Sequence, residues 1–380
     1  MLTIDLFCRV VDNYGDIGVC WRLARQLVAE HDCKVRLIVD DLAALHFLAP
    51  AIDATLTQQN LLGVEVIAWS VSAMLPSAEI VIEAFACDPP EIYVQAMAAR
   101  AEKPIWINLE YLSAEAWVDG VHGLPSPHPR LPLTKYFFCP GFTESSGGLI
   151  RETSLVSDSL PFKGTRNGCR QWAPRVGMGF SESDEKPIPH PVLTSDKLVT
   201  SFLKGEERTK LLAFAYPHAP VHAVATALGA QVTTASRLDE VDPSWTATSP
   251  VPQTHFDALL AQFDVLIVRG EDSFVRAQYA ALPFLWHIYP TPDDAHFVKL
   301  DAWLHRYCED LEADNATALR DAHHAFNRGD ADAHSYRQFA AHLPMLGQHA
   351  RHWRDTLFAQ TDLATRLLDF VTQISAQKVS

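Results

Sequence analysis

Short hydrophobic runs alternate with segments of helical periodicity in the first hundred residues of the chain. The runs that predict β-strands lie at 3–11, 34–39, 64–68, 80–82 and 104–109. After the first run, hydrophobic side chains recur at Val19, Leu23 and Leu27, a spacing that predicts a half-buried helix. Continuous apolar strands separated by helices are typical of a parallel sheet that is covered on both faces. The first part of the chain is therefore predicted to form an α/β domain.

The same alternation returns after residue 210. Strands are predicted at 211–216, 231–234, 265–268 and 284–288, and helices at 221–228 and 256–263. Between the halves, residues 111–195 are rich in Pro, Gly, Ser and aromatic side chains, which predicts a long functional loop region with a linker at 181–186. The chain ends in helices, the last with Leu363, Leu367, Phe370 and Val371 on one face. We therefore predict two facing Rossmann-like domains with a cleft between them, divided near residue 195.

The composition is that of a soluble globular protein in a reducing compartment. A chain of 380 residues exceeds the usual size of one compact core, which favours two domains. The seven cysteines are scattered and form no CxxC pair, so we expect a cytoplasmic protein without a structural zinc site. We find no hydrophobic run of about 20 residues and no secretory signal, and thus expect no membrane association.

The formal net charge of −15 restricts the partners of the chain. An acidic surface disfavours binding to nucleic acid, which requires Lys and Arg to displace counterions. The same surface suits a substrate or partner with positive charge. Although the chain has 17 histidines, it has no HExxH motif, and we expect no metal site.

The loop between the first strand and the first helix carries an unusual set of polar residues. Such loops lie at the carboxyl ends of the strands, where α/β proteins bind ligands. Two carboxylates here would repel a phosphate and attract a cation, although Asp16 or Asn13 could simply cap the helix. The loop also lacks the GxGxxG pattern, which argues against a nicotinamide or flavin cofactor. The candidate residues of this loop are Asp12, Asn13, Tyr14, Gly15 and Asp16.

A second constellation follows the predicted strand at 265–268. A helix N-terminus with Arg269 beside it and Ser273 in its first turn suits the phosphates that the first loop would repel. A surface ion pair between Arg269 and Glu271 is the alternative interpretation. Upstream, Gln253 and Phe256 are suited to hold a flat base, although Phe256 could also be a core aromatic. Three further residues complete the predicted site: Tyr216 at the end of an earlier strand, Glu271 and Asp272.

Several blocks of the sequence together resemble one family, the arginine rhamnosyltransferases of elongation factor P known as EarP. The matching blocks are 12–27, 108–115, 140–148, 268–278 and 286–290. The resemblance implies a GT-B glycosyltransferase fold, with a C-terminal helix at 361–380 that packs back on the first domain, which spans 1–195. The nucleotide-sugar domain would then span 196–360.

The resemblance also implies an activity. The enzyme would transfer L-rhamnose with inversion from dTDP-β-L-rhamnose to a guanidinium nitrogen of one arginine of elongation factor P, without a cofactor or metal. Asp12 and Asp16 would face the acceptor, and Glu271 would be the third essential carboxylate. The nucleotide would be held by Tyr216, Gln253, Phe256, Arg269, Asp272 and Ser273. The chain departs from the family at Pro250, where a second base-stacking Phe is common, and between residues 148 and 210.

The residues agree with this chemistry. The guanidinium of a free arginine stays protonated up to a pH above 12, so its nitrogens are poor nucleophiles and need a base. We favour Asp16 as the base and Asp12 as the group that clamps the guanidinium, with the reverse assignment as the alternative. Two other functions remain open at this point: a GT-B enzyme that uses a dTDP-sugar with another acceptor, and a non-catalytic module that binds a basic protein.

Overall fold

Two mainly parallel β-sheets, each covered by helices, form the framework of the protein. They are seen in a computed structural model that describes residues 1–11, 14–155, 208–236, 238–249 and 251–379. One sheet is built from strands before residue 155 and the other from strands after residue 208. The prediction of an α/β protein with two sheets is therefore confirmed.

The first sheet has eight strands in the order β3-β4-β2-β1-β5-β6-β8-β7. The strands are β1 (Thr3–Cys8), β2 (Lys34–Val39), β3 (Gln58–Leu61), β4 (Val64–Ala68), β5 (Ile80–Ala84), β6 (Ile105–Leu109), β7 (Pro125–Pro127) and β8 (Thr134–Phe138). Only β3 and β7, at the two edges, run antiparallel to their neighbours. The helices of this part are α1 (Gly15–His31), α2 (Leu42–Leu48), α3 (Glu91–Ala99) and α4 (Trp117–Val121), with a 3₁₀ segment at Trp69–Met74.

The second sheet has five parallel strands in the order β11-β10-β9-β12-β13. They are β9 (Lys210–Ala213), β10 (Gln231–Thr234), β11 (Thr246–Ala247), β12 (Val265–Arg269) and β13 (Phe284–His287). The accompanying helices are α5 (Val221–Leu228), α6 (Phe256–Leu260), α7 (Glu271–Ala280), α8 (Ala295–Tyr307), α9 (Ala313–Arg328) and α10 (Ala333–Ala359), with a 3₁₀ segment at Gln253–His255. No helix within the described residues is both long and hydrophobic enough to cross a bilayer.

The central strand β1 is buried on both of its faces, as expected for a parallel sheet. Leu6 and Cys8 are fully buried against α1 on one face of the sheet, and Phe7 is fully buried against Tyr93 on the other. The one charged residue of this strand, Asp5, is also fully buried and accepts a hydrogen bond of 2.5 Å from Nε of Arg36.

The last helix, α11 (Leu363–Val379), returns to the first sheet. Leu363, Leu367 and Val371 are buried in the same hydrophobic cluster as strands β1 and β6. The ring of Phe370 lies 5.8 Å from the ring of Phe138 in β8. The first hydrophobic core thus contains side chains from both ends of the chain.

Most predicted strands end earlier or later than the hydrophobic pattern suggested. The first strand ends at Cys8 rather than residue 11, because the amides of Val10 and Val11 donate to the carboxylates of Asp40 and Asp16 instead of to the sheet. Strand β9 ends at Ala213 rather than residue 216, and the helix predicted at 256–263 ends at Leu260. The end of β1 depends on side-chain acceptors, which hydrophobic periodicity does not register.

The prediction that residues 111–195 are loop-rich is wrong for the part before residue 139. The aromatic run at Tyr136–Phe138 belongs to strand β8, which pairs with β6. Its other neighbour, β7, contains Pro125 and Pro127 and lies at the sheet edge, where proline is tolerated because no further strand needs its amide. The linker predicted at 181–186 and the boundary near residue 195 lie outside the described residues.

Candidate active site

Two strand-to-helix junctions, one in each domain, meet at the domain boundary. Strand β1 ends at Cys8 and helix α1 begins at Gly15, while β12 ends at Arg269 and α7 begins at Glu271. The turn between β12 and α7 uses Gly270 at φ +68°, a conformation that glycine adopts without strain. Helices α1 and α7 pack against each other, so the residues at their N-termini face one another across the boundary.

A cavity at this boundary is lined by both domains. The structure brings together here the predicted residues Tyr14, Gly15, Gln253, Phe256, Arg269, Asp272 and Ser273. Asp16 and Glu271 are outside the cavity wall, but each is next in the chain to a lining residue. The structure does not describe Asp12, Asn13 or Pro250.

Arg269 lies between two aromatic rings at the cavity wall. Its guanidinium carbon is 4.8 Å from the ring centres of both Phe214 and Tyr216, within the range of cation–π attraction. The amide of Tyr216 donates to Nδ1 of His287 over 3.2 Å. Burial and, to a lesser extent, the nearby charge of Arg269 lower the pKa of His287 to about 3, so the ring is a neutral acceptor. This arrangement fixes the position of the Arg269 guanidinium at the wall of the cavity.

The carboxylate of Glu271 makes no pair with Arg269. It accepts a hydrogen bond of 2.6 Å from Nζ of Lys299 and one of 3.0 Å from the amide of Leu112 in the first domain. The interpretation of Arg269 and Glu271 as a surface ion pair is therefore wrong, and Glu271 connects the two domains.

Gln253 and Asp272 also connect the domains. Arg22 of α1 is buried and donates from Nε and Nη2 to both oxygens of Asp272, over 2.6 and 3.0 Å. Nε2 of Gln253 donates to the carbonyl of Gly18 over 2.7 Å and to Asp272 over 3.0 Å. Arg25 donates to Oε1 of Gln253 over 3.2 Å. Two residues that the sequence assigned to the nucleotide thus hold helix α1 in this structure.

The buried ion network extends beyond Arg22. Glu152 accepts a hydrogen bond of 2.8 Å from Arg22 and one of 2.6 Å from Arg276. Arg276 also donates two hydrogen bonds, of 2.6 and 2.5 Å, to the carboxylate of Asp257. Burial raises the pKa of Glu152, but the charges of Arg22 and Arg276 outweigh it and lower the pKa to about 2. Sequence reasoning missed this network because its members lie far apart in the chain, although Arg22 belongs to a block that supports the family resemblance.

Asp16 is buried at the start of α1. Its Oδ2 accepts a hydrogen bond of 2.8 Å from the amide of Val11, which precedes the helix. The residue at the cap position is Tyr14, whose side chain makes no capping bond. The interpretation of Asp16 as a helix cap is therefore wrong for this structure.

Tyr111 was missed by the sequence analysis as a site residue. Burial raises the pKa of Tyr111 well above its usual range, and the negative charges of nearby Asp16 and Glu271 raise it further. The hydroxyl therefore keeps its proton beside these two carboxylates. Tyr111 lies in the matching block 108–115, which is the one signal that could have identified it.

Two more aromatic contacts at the cleft could not be found from the sequence. The ring of Tyr111 stacks on Phe85 with centres 4.2 Å apart, and that of Tyr14 stacks on Phe47 at 4.1 Å. Phe47 also lines the cavity between the domains. Tyr111 and Phe85 lie in separate loops, whereas Tyr14 immediately precedes α1 and Phe47 lies in α2. Within the part of the chain that the structure describes, we find no group of three His, Cys, Asp or Glu side chains arranged to hold a metal ion.

The chain is similar to one family of enzymes along nearly its whole length. The family model for the elongation factor P (EF-P) rhamnosyltransferase EarP matches residues 4–372. A protein-arginine rhamnosyltransferase of Pseudomonas putida is 43% identical over 389 residues, covering 97% of this chain and 98% of the relative. A protein of the same description from Shewanella oneidensis is 38% identical, covering 97% of both chains.

The same similarity appears among solved structures. One structure, described as the basis for EarP-mediated arginine glycosylation of translation elongation factor EF-P, covers 98% of this chain and 99% of its own. The TM-score is 0.56 and the sequence identity is 29%. The fold predicted from the sequence, two facing Rossmann-like domains of the GT-B type, is confirmed.

Proposed function

This chain belongs to the EarP family of elongation factor P rhamnosyltransferases, and on that premise we propose that it transfers L-rhamnose from dTDP-β-L-rhamnose to one arginine of elongation factor P with inversion. Its relatives are protein-arginine rhamnosyltransferases, so the chain is a glycosyltransferase. The hypothesis of a non-catalytic binding module is therefore wrong. The observation that carries the proposal is the separation of charge across the cleft, with Asp16 on one side and Arg269 on the other.

The first domain supplies the acceptor side. Asp16 is a buried carboxylate that accepts a hydrogen bond from the Val11 amide and has the protonated hydroxyl of Tyr111 nearby. Asp12 lies four residues earlier in the sequence. Two carboxylates bind a guanidinium in a defined plane, which orients one nitrogen towards the sugar.

The second domain supplies the donor side. Arg269, the hydroxyl of Ser273 and the N-terminus of α7 are suited to the diphosphate, since a helix N-terminus attracts anions. Phe256, which lines the same cavity, is suited to the thymine base, whereas the amide of Gln253 is already bonded to Gly18, Asp272 and Arg25. These groups would meet the negative charge of the leaving dTDP, so the proposed reaction needs no metal ion.

The chemical step follows from these positions. A guanidinium nitrogen attacks C1 of rhamnose from the face opposite the diphosphate, and the C1–O bond breaks with its electron pair going to dTDP. Asp16 takes the proton that the nitrogen loses as the new bond forms, while Asp12 clamps the guanidinium. Base assistance of this kind contributes about 10²–10⁴-fold, and orientation in the cleft adds to it.

Intact-mass analysis of elongation factor P tests the proposal as a whole. Incubation with this protein and dTDP-β-L-rhamnose is expected to add the mass of one deoxyhexose, and peptide fragmentation should place it on one arginine. Replacing that arginine with lysine in the acceptor is the control and should abolish the gain. Modification of elongation factor P with another dTDP-6-deoxyhexose in preference to dTDP-rhamnose would contradict the donor assignment.

Replacing Arg269 with alanine is expected to weaken the binding of dTDP. Loss of a hydrogen bond to a charged group typically costs about 1.5–3 kcal/mol, which corresponds to a roughly ten- to hundredfold higher Kd. Isothermal titration calorimetry with dTDP measures the change. Arg337→Ala, at an exposed position of α10, is the matched control and should bind dTDP as the wild type does. Equal affinity of the Arg269 variant and the wild type would remove Arg269 from the donor site.

A further inference from the structure

The contacts around Tyr111 point to the place where the acceptor side chain lies. We infer that the guanidinium of the acceptor arginine stacks on the ring of Tyr111, and that the ammonium of Lys299 holds this place in the free enzyme. The inference rests on the proposed function, because it concerns the acceptor of that reaction. It adds an aromatic surface and a resident cation to a site so far described by its carboxylates.

Tyr111 lies between the carboxylates of the two domains. The negative charges of both Asp16 and Glu271 act on its hydroxyl. Glu271 accepts a hydrogen bond of 3.0 Å from the amide of Leu112, the residue after Tyr111. Tyr111 is 38% exposed, so it can be reached from the cleft. A cation on this ring would have a carboxylate on either side.

The ring of Tyr111 packs on the ring of Phe85, and the backbone at Phe85 is strained. It stacks on Phe85 with an angle of 13° between the rings. Phe85 and the next residue, Ala86, adopt φ values of +58° and +51°, which residues other than glycine rarely do. The amide of Ala86 donates to Oδ1 of Asn108 over 3.1 Å, which fixes this turn. Strain of this kind persists where the surroundings enforce it and is concentrated at functional sites.

Lys299 shows that the position accepts a cation. Its ammonium is 2.6 Å from Oε1 of Glu271 and 5.6 Å from the ring centre of Tyr111. The lysine side chain is 23% exposed, and it is therefore not locked in a closed core. A guanidinium is planar and more weakly hydrated than an ammonium, so it stacks on an aromatic ring more favourably. An arriving arginine can therefore replace Lys299 at both contacts without leaving Glu271 unpaired.

Steady-state kinetics of three variants test the inference, with acceptor and donor varied separately. Tyr111→Leu should raise the KM for elongation factor P at least tenfold and leave the KM for dTDP-rhamnose within twofold. Tyr111→Phe keeps the ring, so it should raise the acceptor KM by much less than Tyr111→Leu does. Lys299→Met removes the competing cation and should lower the acceptor KM. Thermal unfolding with and without dTDP checks that each variant is folded and binds the nucleotide.

The results separate this inference from the function on which it rests. If the wild-type protein adds no deoxyhexose to elongation factor P, the proposed function fails. If the wild type is active and Tyr111→Leu has an unchanged acceptor KM, the function stands and the role of Tyr111 is wrong. A higher acceptor KM in Lys299→Met would show that the lysine helps to bind the acceptor, which would overturn its role as a resident cation.

Discussion

Replacing Asp16 with asparagine is expected to reduce rhamnosyl transfer by about two orders of magnitude or more, the contribution of a general base. Asparagine has nearly the same shape and still accepts a hydrogen bond from the Val11 amide. The variant should therefore fold and bind dTDP as the wild type does, and lose only the proton acceptor. Single-turnover transfer to elongation factor P measures the rate, and calorimetry with dTDP measures donor binding.

Asp41 offers a matched control for this substitution. It caps α2 in the same domain, where its carboxylate accepts from the amides of Ala43 and Ala44, and asparagine caps a helix about as well as aspartate. Asp41→Asn should therefore transfer rhamnose at the wild-type rate. Asp12→Asn should mainly raise the KM for the acceptor, since we assign that residue to clamping. A near wild-type rate in Asp16→Asn would refute Asp16 as the base.

Replacing Arg22 with methionine is expected to cause the largest loss of stability among single substitutions at the domain boundary. Arg22 is 2% exposed and provides hydrogen bonds to Asp272 and Glu152, which are themselves mostly buried. Removing one partner of a buried ion pair leaves uncompensated charge and costs about 3–5 kcal/mol. Urea denaturation followed by tryptophan fluorescence measures the free energy of unfolding.

A surface pair provides the control for Arg22. Arg328 and Asp330 form an ion pair at 2.8 Å with both side chains about half exposed. Arg328→Met should change the free energy of unfolding by less than about 1 kcal/mol, the usual size of an exposed pair. Similar losses in the two variants would mean that the buried network contributes little. The double variant Arg22→Met with Asp272→Leu should recover part of the stability, because the isolated charge at Asp272 is removed as well.

The elements that could be predicted from the sequence are those whose bounds follow from the local pattern of hydrophobic and polar residues. The strands at 34–39, 64–68 and 231–234 have the predicted bounds, because each is a hydrophobic run with clear polar limits. Strand β8 was missed because its partner β7 contains prolines, which local reasoning assigns to loops. Its membership of the sheet is decided by pairing with β6, a contact between distant residues.

The same distinction holds for the site. Asp16 and Arg269 could be proposed because each lies at a strand-to-helix junction that can be recognised in the sequence. The partners that orient such residues could not be proposed from the sequence. Tyr111 meets Asp16 through tertiary packing, and Lys299 meets Glu271 from a helix that begins 24 residues later in the chain (271 to 295).

Because α11 packs on the first sheet, a single cut in the chain does not yield a complete amino-terminal domain. A single cut in the chain after residue 155 would leave the amino-terminal fragment without Leu363, Leu367 and Val371, which fill part of its core. Such a fragment would expose a hydrophobic groove to water and would tend to self-associate. An autonomous amino-terminal half would require the final seventeen-residue helix to be supplied as well, for example by circular permutation that joins it in front of Met1.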